Sequence, residues 1–165
     1  MLNDLHIDDF CQDVARTFIQ LYKRFPIKDI LYLEDVCGPD EVDEFGLHSK
    51  RYLACLAAVE WLANAGYLSY DSTIREEAYE GAVLTHKAFT FLASFESDRS
   101  RYPTFYKKPA REGQEEREEK QPVEIIEVNK LLRRIDLIFY TVKHSTSDDL
   151  KSLIISLFLV ANDYT

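Results

Sequence analysis

The chain has 165 residues, of which 46% are hydrophobic and 30% charged, and its formal net charge is −9. This hydrophobic content is sufficient for a folded core and excludes a disordered chain. Nucleic-acid-binding surfaces neutralise phosphates with basic side chains, so the acidic balance counts against a chain that binds DNA over a broad surface.

The first predicted element is an amphipathic helix from Ile7 to Phe25, closed by Pro26. A short second helix is expected over residues 28–37, before the stop signal Gly38-Pro39. An acidic loop then leads to Ser49, a good N-cap for a third helix.

The third helix is predicted to run to Ala65, with Gly66 as its C-terminal cap. Two short strands follow, over residues 67–74 and 79–86, joined through a charged tip that contains Arg75. Thr85 is expected to begin a fourth helix.

The segments "WLANAGYLSYD" and "EGAVLTHKAFTFL" resemble a stretch of bacterial winged helix-turn-helix regulators. In those proteins a helix ends in a leucine-and-glycine signature, a β wing follows, and a Leu-Thr-x-Lys-Gly phrase opens the next helix. The matching residues are Leu62, Gly66, Tyr67, Leu68, Leu84, Thr85 and Lys87; Ala88 departs from the usual glycine. The resemblance covers residues 7–95 and implies a mainly α fold, a winged helix-turn-helix with a small β wing. Winged helices serve both DNA and protein partners.

Three parts are therefore expected: a winged-helix domain over 1–97, a charged linker or exposed loop over 98–122, and a C-terminal helical hairpin over 123–165. The hairpin begins with apolar residues at heptad spacing, which are typical of a dimerisation seam. The seam consists of Ile125, Val128, Leu132, Ile135, Phe139 and Val142. A last helix opens at Ser147 and places Leu150, Leu153, Ile154, Leu157 and Ala161 on one side. A homodimer through this region is predicted; the alternative is a hairpin that completes the core of one chain.

The third helix decides between two functions. Helical geometry turns Tyr52, Cys55, Ala58, Val59 and Leu62 toward the core and Leu53, Leu56, Ala57, Glu60 and Asn64 outward. Helices that recognise base edges need hydrogen-bonding side chains on the outward face, and this face carries leucines, an alanine and an acid.

The first function is that of a DNA-binding transcriptional regulator, because DNA binding is frequent in this fold. Its expected DNA contacts are Ser49, Lys50, Arg51 and Arg75, with Arg99, Arg101, Lys107, Lys108 and Arg111 of the linker following phosphates. The alternative is an acidic protein-interaction module with Leu53, Leu56 and Ala57 as contact residues. The linker bases are also compatible with a tether that pairs with the acidic domain.

No catalytic or cofactor-binding pattern is found. The four histidines are scattered, and the chain has neither a glycine-rich phosphate loop nor a nucleophile elbow, so no enzyme, metal or cofactor is expected. Three cysteines without CxxC spacing predict reduced thiols in a cytoplasmic protein. The N-terminus lacks the apolar region of a signal peptide, and the apolar run near the end is too short to span a bilayer, so no membrane partner is expected.

Overall fold

The structure, a computed structural model, describes residues 4–101 and 131–161. The α-helices within these ranges are α1 (Leu5–Arg24), α2 (Leu33–Cys37), α3 (Lys50–Asn64), α4 (His86–Ala93), α5 (Arg134–His144) and α6 (Ser147–Ala161). The strands within the same ranges are β1 (Asp29–Tyr32), β2 (Leu68–Ser69), β3 (Ser72–Ile74) and β4 (Ala78–Leu84). The described part of the chain is thus helix-rich with one small antiparallel sheet, as the mainly α prediction requires.

Strand β4 is the centre of the sheet. It pairs with β1 on one edge and with β2 and β3 on the other, always antiparallel. Opposite β1 the register shifts by a bulge, since Asp29 pairs with Ala82 and Leu31 with Tyr79. Gly81 occupies the bulge with φ +68, a conformation that side chains disfavour.

The predicted second helix over residues 28–37 is wrong in its first half, because Asp29–Tyr32 form strand β1 and only Leu33–Cys37 are helical. The pairing of β1 with β4 comes from residues about 50 positions away, so local propensity within the segment did not indicate it. The predicted strand over residues 67–74 is divided into β2 and β3, which pair with different parts of β4.

Both ends of α3 match the prediction. The Ser49 hydroxyl accepts the backbone N–H of Tyr52 at 3.2 Å, which is the N-cap contact. At the other end, the Tyr67 N–H donates to the Leu62 carbonyl and the Gly66 N–H to Ala63, with Gly66 at φ +78. This is the Schellman arrangement, and it turns the chain directly into β2.

The C-terminal helices differ from the predicted continuous heptad seam. Helix α5 begins at Arg134, and residues 131–133 precede it in non-helical form, with Arg133 bridged to Phe95. Ile125 and Val128 lie outside the described residues. Helix α6 begins at Ser147, as predicted, and the Thr146 hydroxyl and the Asp149 side chain cap it reciprocally, with Thr146 as the N-cap.

Helix α1 is the common packing partner of α3, α5 and α6. It buries Val14, Phe18 and Leu21, while α6 buries the predicted set of Leu150, Leu153, Ile154, Leu157 and Ala161. One apolar cluster joins all these helices to the sheet. The C-terminal helices therefore contribute to the core of the same chain, whereas self-association through them stays a prediction.

Candidate interaction surface around the third helix

The start of α3 carries three of the predicted DNA contacts, Ser49, Lys50 and Arg51. Their side chains lie in three different environments. Ser49 caps the helix, and its backbone N–H donates to the Asp40 carboxylate, which also contacts His48 Nδ1 at 2.8 Å. Lys50 is exposed. The Arg51 side chain contacts α1, so Lys50 is the exposed base at the start of α3.

Arg51 forms a two-pronged ion pair with Asp13 of α1. The two terminal nitrogens lie 2.7 and 2.5 Å from the two carboxylate oxygens, and Nε lies 3.6 Å from Asp9. The Asp13 side chain is completely buried. Burial raises the pKa of Asp13 against the opposing pull of Arg51, while the hydrogen bonds to Asp13 raise the pKa of the Arg51 guanidinium. Arg51 stays protonated, and its donors are directed to carboxylates of its own chain.

The predicted core face of α3 is confirmed, and the predicted outward face is confirmed except at Leu56. Tyr52, Cys55, Ala58, Val59 and Leu62 are buried. On the opposite side Leu53 and Ala57 are exposed, whereas Leu56 is half-buried against the core. Leu56 therefore offers less contact surface than the prediction assumed.

The sequence reasoning did not include Trp61, which continues the exposed face by another turn. Its side chain is 44% exposed, equal to Leu53. Spacing could have found it, because Leu53, Ala57 and Trp61 follow each other at intervals of four residues. We call these three residues the outer stripe.

Aromatic contacts hold Trp61 in place and extend the apolar surface beyond α3. The Trp61 ring lies edge-on to Phe10 of α1 at 5.2 Å and to Phe158 of α6 at 5.4 Å between centroids. On the outside of α6, Ile155 and Leu159 are 45% and 66% exposed. A tryptophan so fixed can present its free edge to a partner with little loss of side-chain entropy.

The predicted acidic loop before α3 is organised around Asp43. The Asp43 carboxylate accepts the backbone N–H groups of Phe45 and Leu47, each at 2.9 Å. These contacts hold Val42, Phe45 and Leu47 in place while leaving their side chains exposed. Three more apolar side chains therefore lie on the surface that leads into α3.

Carboxylates line the side of α3 that faces the β3–β4 hairpin. The Tyr79 hydroxyl donates to the Leu56 carbonyl at 3.3 Å, which brings β4 against α3. Burial raises the pKa of Tyr79. Nearby negative charges, among them Glu60 and Glu76, raise it further. Burial also raises the pKa of Tyr52 to about 12, with added effects of charges that include Glu34 and Glu77. We call the exposed residues Glu34, Glu60, Glu76 and Glu77 the acidic rim.

The hairpin tip carries Arg75, the predicted wing contact. The Glu77 N–H donates to the Ile74 carbonyl at 2.7 Å, and Arg75 and Glu76 between them both have positive φ. This is the pattern of a type I′ turn, which most often uses asparagine and glycine. The tip is thus one base next to two acids, anchored to α2 by the Leu33 N–H, which donates to the Glu77 carbonyl at 2.9 Å.

The predicted linker contacts are only partly described. Arg99 lies in a short 3-10 turn, and Lys107, Lys108 and Arg111 lie outside the described residues. Arg101 contacts the buried Glu96 carboxylate at 3.0 Å, and Glu96 also pairs with the buried Arg134 of α5 at 3.1 Å. Arg101 therefore belongs to an internal ion cluster.

The predicted seam residues that the structure describes are distributed over several environments. Ile135 is buried, and Leu132 and Val142 are half-buried against the core. Phe139 is half-buried, with the ammonium groups of Lys23 and Lys143 over its ring at 5.7 and 4.3 Å. The inward side of α5 is instead formed by Arg134, Ile135, Leu137, Ile138 and Thr141.

The thiols of Cys11 and Cys55 are buried. Burial raises the pKa of Cys11 to about 11 and also raises the pKa of Cys55, so these thiols stay protonated at neutral pH. Within residues 4–101 and 131–161, no cluster of histidine, cysteine, aspartate and glutamate has the composition of a metal site. In the same ranges, no helix has the length and apolar character needed to cross a membrane.

Comparisons with protein-family models, with curated proteins and with solved structures found no match to this chain.

Proposed function

We propose that the chain is a winged helix-turn-helix domain whose third helix serves a protein partner rather than DNA. The order α1, β1, α2, α3, then a strand, a hairpin and a further helix, supports the winged-helix assignment. In this interpretation β3 and β4 form the wing, and α3 stands where a DNA-binding relative would place its recognition helix.

The outer stripe is the observation that carries the proposal. A helix that recognises base pairs needs donors and acceptors along its outward face. Here Leu53, Ala57 and Trp61 occupy the middle of that face, with the two large side chains each 44% exposed, and the polar residues Glu60 and Asn64 lie beside them. Apolar side chains grouped on one exposed face are typical of protein-contact surfaces.

The charges around α3 support the same function. Arg51 is engaged by Asp13, and the tip beside Arg75 carries Glu76 and Glu77. Phosphates approaching this side of the molecule would meet carboxylates in greater number than bases. DNA affinity depends on releasing counterions through basic contacts, and Lys50 and Arg75 alone supply few of them.

The experiment is a titration of the purified protein into fluorescently labelled random duplex DNA, followed by anisotropy at low and at moderate salt. We expect no binding at micromolar protein at either salt concentration. Micromolar binding that weakens steeply with salt would overturn the proposal in favour of the regulator function.

A pair of variants tests whether the outer stripe is surface or core. Leu53→Asp should leave the free energy of unfolding within about 1 kcal/mol of the parent, because the side chain is half in solvent. Leu62→Asp on the same helix should unfold the protein, because Leu62 is fully buried. If Leu53→Asp is equally disruptive, Leu53 serves the fold and the contact surface loses its main residue.

A further inference from the structure

The surface around α3 has two halves of different chemistry, side by side. One half is the outer stripe, with the half-buried rings of Phe10 and Phe158 packed against Trp61 at its end. The other half is the acidic rim, which two hydrogen bonds connect to α3 and α2: the Tyr79 hydroxyl donates to Leu56, and the Leu33 N–H to Glu77. A ligand lying along α3 would contact both halves at once.

The length of the outer stripe fits one helical segment. Trp61 follows Leu53 by eight positions, which corresponds to about 12 Å along the helix axis. An amphipathic helix presents apolar side chains at positions i, i+3 or i+4 and i+7 over a similar distance. Two or three large apolar side chains of such a segment can therefore pack against Leu53, Ala57 and Trp61.

The acidic rim favours a segment with positively charged side chains. Lys50 and Arg75 are the exposed bases that accompany Glu34, Glu60, Glu76 and Glu77. The local excess of carboxylates attracts a segment with lysine or arginine on the flanks of its apolar row. A second copy of this chain is disfavoured there, since a symmetric contact through the same face would bring identical carboxylates together.

We infer that the outer stripe and the acidic rim together bind a basic amphipathic helix of a partner protein. This inference rests on the proposed function and adds the chemical class of the partner. The apolar stripe supplies the contact area, and the rim selects against acidic or neutral helices of similar hydrophobicity.

The probe is a labelled leucine–lysine peptide of about 18 residues with its leucines at helical spacing, long enough to fold on contact. One comparison peptide carries glutamate in place of each lysine, and a second keeps the lysines but replaces each leucine with serine. We expect micromolar binding of the leucine–lysine peptide by anisotropy. Both comparison peptides should bind at least about ten-fold more weakly, because each lacks one of the two required chemistries.

Variants separate site-specific binding from general attraction to an acidic protein. Replacing Glu60 and Glu76 together by glutamine should weaken binding about five-fold, and Leu53→Asp should weaken it more than ten-fold. The matched control replaces Asp136 and Asp148 of α5 and α6 by asparagine, which changes the net charge by the same amount. It should leave the dissociation constant unchanged.

Three outcomes would overturn the inference, and they differ from failure of the proposed function. These are equal binding of the glutamate peptide, equal weakening by the control pair, and absence of binding by the leucine–lysine peptide. If duplex DNA also fails to bind, the proposed function stands after any of these outcomes, and α3 would then bind a protein partner of other chemistry. Salt-sensitive binding of duplex DNA would instead overturn the proposed function itself.

Discussion

Replacement of Arg51 by alanine should destabilise the fold rather than remove a DNA contact. Arg51 supplies both hydrogen bonds that the Asp13 carboxylate receives from a side chain, at 2.7 and 2.5 Å. The Asp13 side chain is 0% exposed, so water cannot replace the lost guanidinium without opening the contact between α1 and α3. The variant leaves a buried carboxylate without its cation.

The expected magnitude follows from this burial. Removing one partner of a buried ion pair typically costs 3–5 kcal/mol, and the partial exposure of Arg51 places this pair at the lower end, about 3 kcal/mol. For a chain of 165 residues this corresponds to a melting temperature lower by about 6 to 12 °C. Replacing the pair by apolar residues, as in Asp13→Leu with Arg51→Met, should recover most of the loss, because no buried charge then remains.

Urea denaturation followed by circular dichroism measures these differences. Lys50→Ala is the neighbouring control, and it should change the free energy of unfolding by less than about 0.5 kcal/mol because Lys50 is exposed. An Arg51→Ala variant as stable as the Lys50→Ala variant would refute the reasoning. Arg51 would then be free to act at the surface, and its assignment to DNA contact would regain support.

Three further predictions concern the caps and the second buried ion cluster. Glu96→Gln should cost about 3 kcal/mol in urea denaturation, since it removes the charge that faces the buried Arg134. Burial alone would raise the pKa of Glu96, but hydrogen bonds and nearby cations outweigh it and hold the pKa below its ordinary 4.5. The parent should therefore lose this stabilisation as the pH falls below about 4.5, and Glu96→Gln should show a shallower acid dependence; equal dependence would contradict the assignment. Gly66→Ala should strain the backbone, which has φ +78 at this position, and lower the free energy of unfolding by about 1 kcal/mol, measured by thermal melting; an unchanged melting temperature would contradict the role of Gly66 in ending α3. Thr146→Ala should cost about 1 kcal/mol in the same assay because it removes the reciprocal cap with Asp149, and an unchanged melting temperature would contradict that role.

Local signals in the sequence predicted most of α3 and its surroundings. Ser49, Gly66 and Thr85 act within a few residues of their own positions, as helix caps or turn residues, and all three were placed correctly. The buried and exposed faces of α3 and the buried side of α6 also follow from spacing alone.

Features that depend on distant partners were not predictable in the same way. Strand β1 exists because it pairs with β4, and the fate of Arg51 depends on Asp13, 38 residues away. A buried aspartate on an amphipathic helix gives no sequence signal for its partner. For α5, heptad spacing indicated a seam through Phe139, whereas packing on α1 and α6 turns Leu137, Ile138 and Thr141 inward.

Trp61 was overlooked for a different reason. Its spacing places it at the edge of the outward face of α3, where a tryptophan is equally compatible with the core. Only its contacts with Phe10 and Phe158 show that one edge is packed while 44% of the side chain stays exposed. Its position makes it the natural reporter for the proposed surface.

The most direct measurement is therefore the emission of Trp61, the single tryptophan of the chain, during parallel titrations with the leucine–lysine peptide and with duplex DNA. If α3 serves a basic helical partner, the peptide should shift the emission to shorter wavelength with saturation, and DNA should leave it unchanged. A saturating, salt-sensitive change with DNA and none with the peptide would contradict the account and assign the surface to nucleic acid.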